Sequence, residues 1–424
     1  MTKEPNIEQI NELISIFKTG DLNKAEKISL SITHNFPDHP FSWKILGFIY
    51  KNKKKYSESL AVNKKAIQLS PDDPELYNNI ADVYNKLGKL NNAIENYKKA
   101  LKIKNDNFIS YYNLGCIYLR TGEINEAEKN FYCVLDYKPD FIPSYVNLGI
   151  TLNKANKNIE AETIFKKGIN INNNIFELYF YLGGTLDKLG KIDESINNYK
   201  KAIYLKPNFF GTYSNLGSAF HKLGKFEEAV TNYKKAIQLN DSSPETFNNY
   251  GNLLRQMGNL KDSEKYLNKA ISLNSKYANA YSNLGNVLKM MGKLDESINA
   301  YEKAIKINPN LSRSKAHLLY QKKNICDFTV TDRISKINST LGISTSSIVP
   351  FSALSWNDNS EEQFLRSKKY INENFRNDIN TTSVNLIYNN KKIKIGYFSA
   401  DFYDFPSMHL MIGLLEKHNR NIFD

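Results

Sequence analysis

The chain has 424 residues, is 41% hydrophobic and 24% charged, and carries a formal net charge of +13. That hydrophobic share is enough for a folded protein, and with no run of about 18 apolar residues a membrane-spanning helix is not expected. Cys116, Cys133 and Cys326 form no CxxC pair and no even framework, which argues against a disulfide scaffold and reads as buried thiols in a reducing compartment.

The lysines are spread along the chain, as in Tyr97 to Ala100 and Tyr233 to Ala236. They read as the solvating residues of many helices, and no nucleic-acid partner is expected; an anion-binding scaffold using the net charge is the alternative. Met1 to Leu13 is polar and charged, without the apolar stretch of a signal peptide, so the expected compartment is the cytoplasm.

From the N-terminus onward a small residue returns every 34 positions: Gly47, Ala81, Gly115, Gly149, Gly183, Gly217, Gly251 and Gly285. A second small residue follows twelve positions later, as Ala93 follows Ala81 and Ser263 follows Gly251. Between the two stands a breaker, Gly in most repeats but Lys54 and Asn156 in two of them. One step back reaches Gly20, Ala25 and Pro37. The repeats are therefore 6–39, 40–73, 74–107, 108–141, 142–175, 176–209, 210–243, 244–277 and 278–311, making a region 1–311.

Each repeat predicts two helices. In 210–223, Tyr213, Leu216, Gly217 and Phe220 follow the i, i+3, i+4, i+7 pattern. Gly224 ends that helix, because Gly takes the left-handed conformation cheaply. A second helix over about 227–240 places Ala229, Tyr233, Ala236 and Ile237 on one face. Pro71, Pro139, Pro207 and Pro309 separate repeats. Neither helix can bury its stripe alone, so stacked neighbours supply the core.

Two residues before the first small position stand Asn79, Asn113, Asn147, Asn215, Asn249 and Asn283, with Ile45 and Tyr181 as exceptions. At about 100° per residue this position lies away from the apolar stripe. Asn is a mediocre helix former, so propensity does not explain six in phase. Stacking would line these amides along one inner face, each able to donate to and accept from a peptide backbone. The structural alternative is that they bond neighbouring helices.

Beyond Pro309, residues 312–324 read as a capping helix and 327–340 as another. A Ser/Thr/Gly loop spans 341–350, and a helix over about 360–375 uses Phe364, Leu365, Tyr370 and Ile371 as its apolar face. The span 312–385 is thus a capping and transition region. Lys392 to Ser399 alternates as a strand, followed by a loop and a helix over 409–418, the opening of an α/β half in 386–424.

The 34-residue period and the phases of small residues and Pro resemble the tetratricopeptide repeat, with Trp43 to Gly47 and Tyr50 close to its consensus first helix. The resemblance implies an all-α right-handed superhelix with a groove for an extended polypeptide. Ser399-Ala400-Asp401-Phe402, Pro406, His409-Leu410-Met411 and Arg420 to Phe423 resemble the opening of the catalytic region of the SPINDLY-like, repeat-containing protein O-GlcNAc transferases. Cys326 to Phe328 and Val349 to Phe351 agree. That resemblance implies an incomplete GT-B-like N-lobe after the repeats and, in a complete enzyme, UDP-GlcNAc as donor for Ser or Thr.

The family's first active-site His is Phe405 here and its second is kept as His409; Phe cannot transfer a proton. A diphosphate site also needs a donor lobe beyond Asp424. The expectation is therefore a protein-binding scaffold without cofactor or metal, with an active transferase as the alternative should the chain be a fragment. No Walker loop, HExxH or GxSxG occurs, and the six histidines lack metal-ligand spacing.

Overall fold

The computed structural model describes residues 4–324, 341–349 and 360–374. Among them are twenty α-helices and no strand. The chain divides into two compact units, Met1–Ser367 and Lys368–Asp424, and all the repeats belong to the first. The predicted strand at 392–399, the helices at 327–340 and 409–418, and Cys326 lie outside the described residues.

Helices alternate at the period of the sequence. First helices begin at Pro40, Pro74, Phe108, Ile142, Phe176, Phe210, Pro244 and Ala278, and second helices at Tyr56, Leu90, Ile124, Asn158, Ile192, Phe226, Leu260 and Leu294. An N-terminal pair, Ile7–Thr19 and Leu22–Asn35, precedes them, and Ser312–Asn324 follows at the next step of 34. The arrangement is an all-helical superhelix built from helix hairpins.

The turn inside a hairpin is set by one residue of left-handed backbone. Gly224 has φ 71°, and its successor Lys225 returns its N–H to Phe220 O at 3.0 Å. That six-to-one bond satisfies a carbonyl the helix end leaves orphaned. Lys54 and Asn156 take the same conformation at φ 59° and 60° despite their side chains. The sequence breaker is therefore a backbone requirement that Gly meets best.

The two small phases do different jobs. The first makes room for the large residue sixteen positions on. A Cβ at Gly115 would stand 2.7 Å from Phe131 Cε1, and one at Gly285 would stand 2.8 Å from Tyr301 Cε1. The second small residue is fully buried, and wherever it is Ser its hydroxyl ties the hairpin. Ser59, Ser195, Ser263 and Ser297 donate to the carbonyls of Gly47, Gly183, Gly251 and Gly285 at 2.6 to 2.7 Å. Period and size alone do not disclose that bond.

The core runs along the stack rather than into a centre. One cluster extends continuously from Ala81 to Leu186 and the next from Ile196 to Leu254. Burial is local to neighbouring repeats, as expected of a quasi-one-dimensional fold. Second helices are also cross-linked at their ends: Lys157 pairs with Glu128, Lys191 with Glu162 and Lys293 with Glu264, each across 29 residues.

Two expectations are corrected here. In the helix Ser360–Asn374, the predicted apolar face is exposed at Phe364, Leu365 and Ile371, while Arg366 is fully buried. Its guanidinium donates to Leu341 O at 2.8 Å and meets Glu362 at 3.2 Å, which provides for the buried charge. Cys116 and Cys133 are only half-buried, because they lie on helix flanks beside the core stripe.

Candidate functional site

First helices of successive repeats lie side by side and carry the predicted amides. Asn79, Asn113, Asn147, Asn215, Asn249 and Asn283 are all half-buried. They sit at the seam between repeats and not on an open surface. Asn147 Nδ2 donates to the Tyr112 hydroxyl at 3.0 Å, and Asn283 Nδ2 to Asn248 Oδ1 at 2.8 Å. Asn249 Oδ1 accepts from Asn248 Nδ2 at 3.1 Å, and Asn113 makes a long bond of 3.4 Å to Asp82.

These bonds use only part of each amide. An Asn side chain offers two donor hydrogens and an acceptor oxygen. The oxygens of Asn147 and Asn283 and the nitrogen of Asn249 have no protein partner among the described residues, and none belongs to the buried unpartnered atoms. They are open to solvent. The seam bonds fix the side chains' directions and leave these atoms available.

The two exceptions have packing reasons. Ile45 is buried in the N-terminal core. Tyr181 stacks on Phe165 with ring centroids 6.2 Å apart and meets Phe180 edge-on at 5.1 Å. The missing amide is thus replaced by part of an aromatic cluster that also includes Phe176 and Phe209.

Tyrosines of the second helices reach this face from below. Tyr97 donates to Asp82 Oδ1 at 2.5 Å and Tyr301 to Asn286 Oδ1 at 2.7 Å, each three residues past a ladder amide. Asp82 also receives Lys51 at 2.7 Å. Burial, then the Asp82 charge, pushes the Tyr97 hydroxyl far above its ordinary value. Burial likewise raises Tyr199 and Tyr233 and lifts Tyr112 to about 12. These hydroxyls stay protonated; Tyr97 and Tyr301 donate, whereas Tyr112, on the first helix Phe108–Thr121, accepts from Asn147. The small residue of the first helix gives the ring its passage, so one position serves both core and groove.

A hollow of about 390 Å³ opens on this face, lined by Ser218, His221, Lys222, Tyr233, Asn249, Asn252 and Gln256. It joins a ladder amide of one repeat to the last turn of the preceding first helix. His221 and Gln256 bond across it at 2.9 Å. Asn248, Asp82 and Tyr112 were missed by the sequence reading. Their signal was available in the positions flanking the ladder phase, but their residue types vary between repeats. Phe405 and His409 lie outside the described residues.

Models of the TPR repeat match residues 47–88, 81–122, 185–224, 217–258 and 251–292, and tetratricopeptide-repeat models match 109–141 and 278–311. Together these matches span just over half of the chain, which belongs to the tetratricopeptide-repeat family. Residues 142–184 are unmatched, yet the helices Ile142–Lys154 and Asn158–Ile171 keep the spacing there.

Among solved structures, the MamA protein is 27% identical, covering 40% of this chain and 93% of its own at a TM-score of 0.38. A thermophilic TPR protein of Thermus thermophilus is 23% identical, covering 42% and 98% at 0.39. YrrB, described as a TPR protein with an unusual peptide-binding site, is 19% identical, covering 46% and 97% at 0.36. No curated protein sequence matches the chain significantly. No helix among the described residues is long and apolar enough to cross a membrane.

Proposed function

We propose that the chain is a polypeptide-binding scaffold whose groove is formed by repeats 6–39 through 278–311. Its first helices hold an extended segment through the amide ladder. The observation that carries this reading is the row of in-phase amides, held by bonds across the seam at Asn147 and Asn283 and by a neighbouring amide at Asn249, and still open at all three. Amides grip backbone N–H and C=O groups, so capture depends weakly on the peptide's side chains. No cofactor or metal takes part, and the cytoplasm is the setting that suits three cysteines without a disulfide framework.

The test is fluorescence anisotropy with a labelled, uncharged extended peptide, six repeats of Gln-Pro-Pro. Replacing Asn215, Asn249 and Asn283 together by Ala weakens binding several-fold or more with helicity unchanged by circular dichroism. Binding that survives the triple change removes the ladder from the function.

A second reading rests on the motif from Ser399 to Met411. There the groove would deliver Ser- or Thr-containing segments to an O-GlcNAc-transferase-like centre that keeps His409 but carries Phe405. Equilibrium dialysis of the full chain against UDP, together with a sugar-transfer assay, tests it; neither binding nor transfer leaves the scaffold reading alone.

A further inference from the structure

Seven residues beyond Asn79, Asn113, Asn147, Tyr181 and Asn215, the last turns of the first helices carry Lys86, Arg120, Lys154, Lys188 and Lys222; the same phase holds the neutral Asn52, Gln256 and Met290 in the other repeats. Seven residues is close to two helical turns, so these cations share the amides' face. All five are exposed. A cation near a helix C-terminus is favoured by the macrodipole, which would account for any one of them. It does not account for the row. Of the second helices, Leu90–Ile103 and Leu294–Ile307 carry Lys102 and Lys306 in the last turn, while Tyr56–Leu69, Ile124–Tyr137, Asn158–Ile171, Ile192–Leu205, Phe226–Leu239 and Leu260–Leu273 carry no basic residue there. The dipole acts on both helices of a hairpin, whereas the terminal cations gather mostly on the first helices.

Most of the row also lacks a carboxylate partner. At the starts of second helices, Lys157, Lys191 and Lys293 are neutralised by glutamates of the preceding repeat, whereas Lys55, Lys89 and Lys225 at the same position are not, among the described residues. In the groove row, Lys222 pairs with Asp187 at 2.6 Å, and Arg120 meets only the neutral Asn85 amide at 2.7 Å. Lys86, Lys154 and Lys188 have no carboxylate partner among the described residues. The hollow beside Asn249 also contains Lys222, so amide and cation face one space.

From this arrangement we propose that the groove selects acidic polypeptides that present a carboxylate at about every third residue. The proposal rests on the polypeptide-groove reading and adds the partner's chemistry. Packed helices lie about 8–10 Å apart. A polyproline-II chain turns once in three residues with a rise of about 3.1 Å each, so one face recurs every ~9 Å. One carboxylate per turn then meets one cation per repeat, while backbone groups between them face the amides.

The experiment compares labelled peptides of six Glu-Pro-Pro, Gln-Pro-Pro or Lys-Pro-Pro repeats, and a single-stranded oligothymidylate, by anisotropy on the full chain. At low salt the Glu peptide binds about tenfold or more tighter than the Gln peptide, and the gap narrows as salt screens exposed charges. The variant Lys86→Gln, Lys154→Gln, Lys188→Gln keeps its thermal melting and reduces the Glu-to-Gln ratio to about twofold or less. Equal binding of both peptides, still sensitive to the Asn→Ala changes, overturns the acidic preference and leaves the groove reading standing. A preference that persists in the triple Gln variant overturns it as well. Tighter binding of the oligothymidylate through the same lysines makes the row a nucleic-acid surface and overturns it. Binding of neither Glu nor Gln peptide removes both readings.

Discussion

A Cβ built on Gly115 would stand 2.7 Å from Cε1 of Phe131, a ring that is itself fully buried. The contact joins the two helices of one hairpin, and the ring cannot retreat, because it packs within the continuous core. Gly115→Ala therefore costs about 1–3 kcal/mol through overpacking, more than the added helix propensity returns. Thermal melting followed by circular dichroism reads this as a lower midpoint. Phe131→Leu in the same chain relieves part of the loss if the ring is the obstruction, and the two changes are then non-additive.

Ser263 donates to Gly251 O at 2.6 Å, and Ala occupies the same phase at Ala93, Ala127, Ala161 and Ala229. Ser263→Ala removes one buried hydrogen bond and leaves a carbonyl that still belongs to its helix. The expected loss is about 1 kcal/mol or less. Ser263→Val adds volume where no space exists and lowers the melting midpoint further. Equal midpoints for the Ala and Val variants would show that packing at this phase is looser than the burial indicates.

Lys54 and Asn156 hold left-handed backbone at φ 59° and 60°, where other repeats use Gly. Lys54→Gly relieves a conformation that costs L-residues roughly 1–2 kcal/mol, partly offset by the greater freedom of Gly in the unfolded chain. Asn156→Gly gains less, since Asn tolerates this region better. Denaturant midpoints should rise for Lys54→Gly and change little for Asn156→Gly. The opposite order would mean that the Lys54 side chain contributes contacts of its own.

His317 occupies the next step of the ladder after Asn283, in the helix Ser312–Asn324, stacked on Tyr301 at 5.7 Å. Burial, with Lys289, Arg313 and Arg255 nearby, lowers its pKa from 6.5 to about 4. Between these values the unfolded chain binds the proton and the folded chain does not. Stability from this group is therefore present above about pH 6.5 and is lost as pH falls toward 4, at most a few kcal/mol. His317→Phe should flatten the dependence of the melting midpoint on pH across that window. An unchanged slope would assign the acid sensitivity to other groups.

The repeat length, the hairpin turns and the core stripe were legible in the sequence, because each is a local demand repeated in phase. Gly224, Leu216 and Ala229 announce themselves by recurrence alone. The phase of Asn215 was legible for the same reason. Its environment was not, because the partners of Asn113, Asn147 and Asn283 lie 31 to 35 residues earlier and differ in type from one repeat to the next. The same holds for Arg366, whose burial depends on a carbonyl 25 residues away.

What the sequence by itself determined is the stack of helix pairs, since every stabilising contact reaches only a neighbouring repeat. Tertiary structure decided which polar groups are spent and which remain. Lys157, Lys191 and Lys293 at the starts of second helices meet glutamates across the seam. Of those closing the first helices, Lys51 and Lys222 meet a carboxylate of a neighbouring first helix, while Lys86, Lys154 and Lys188 meet none among the described residues.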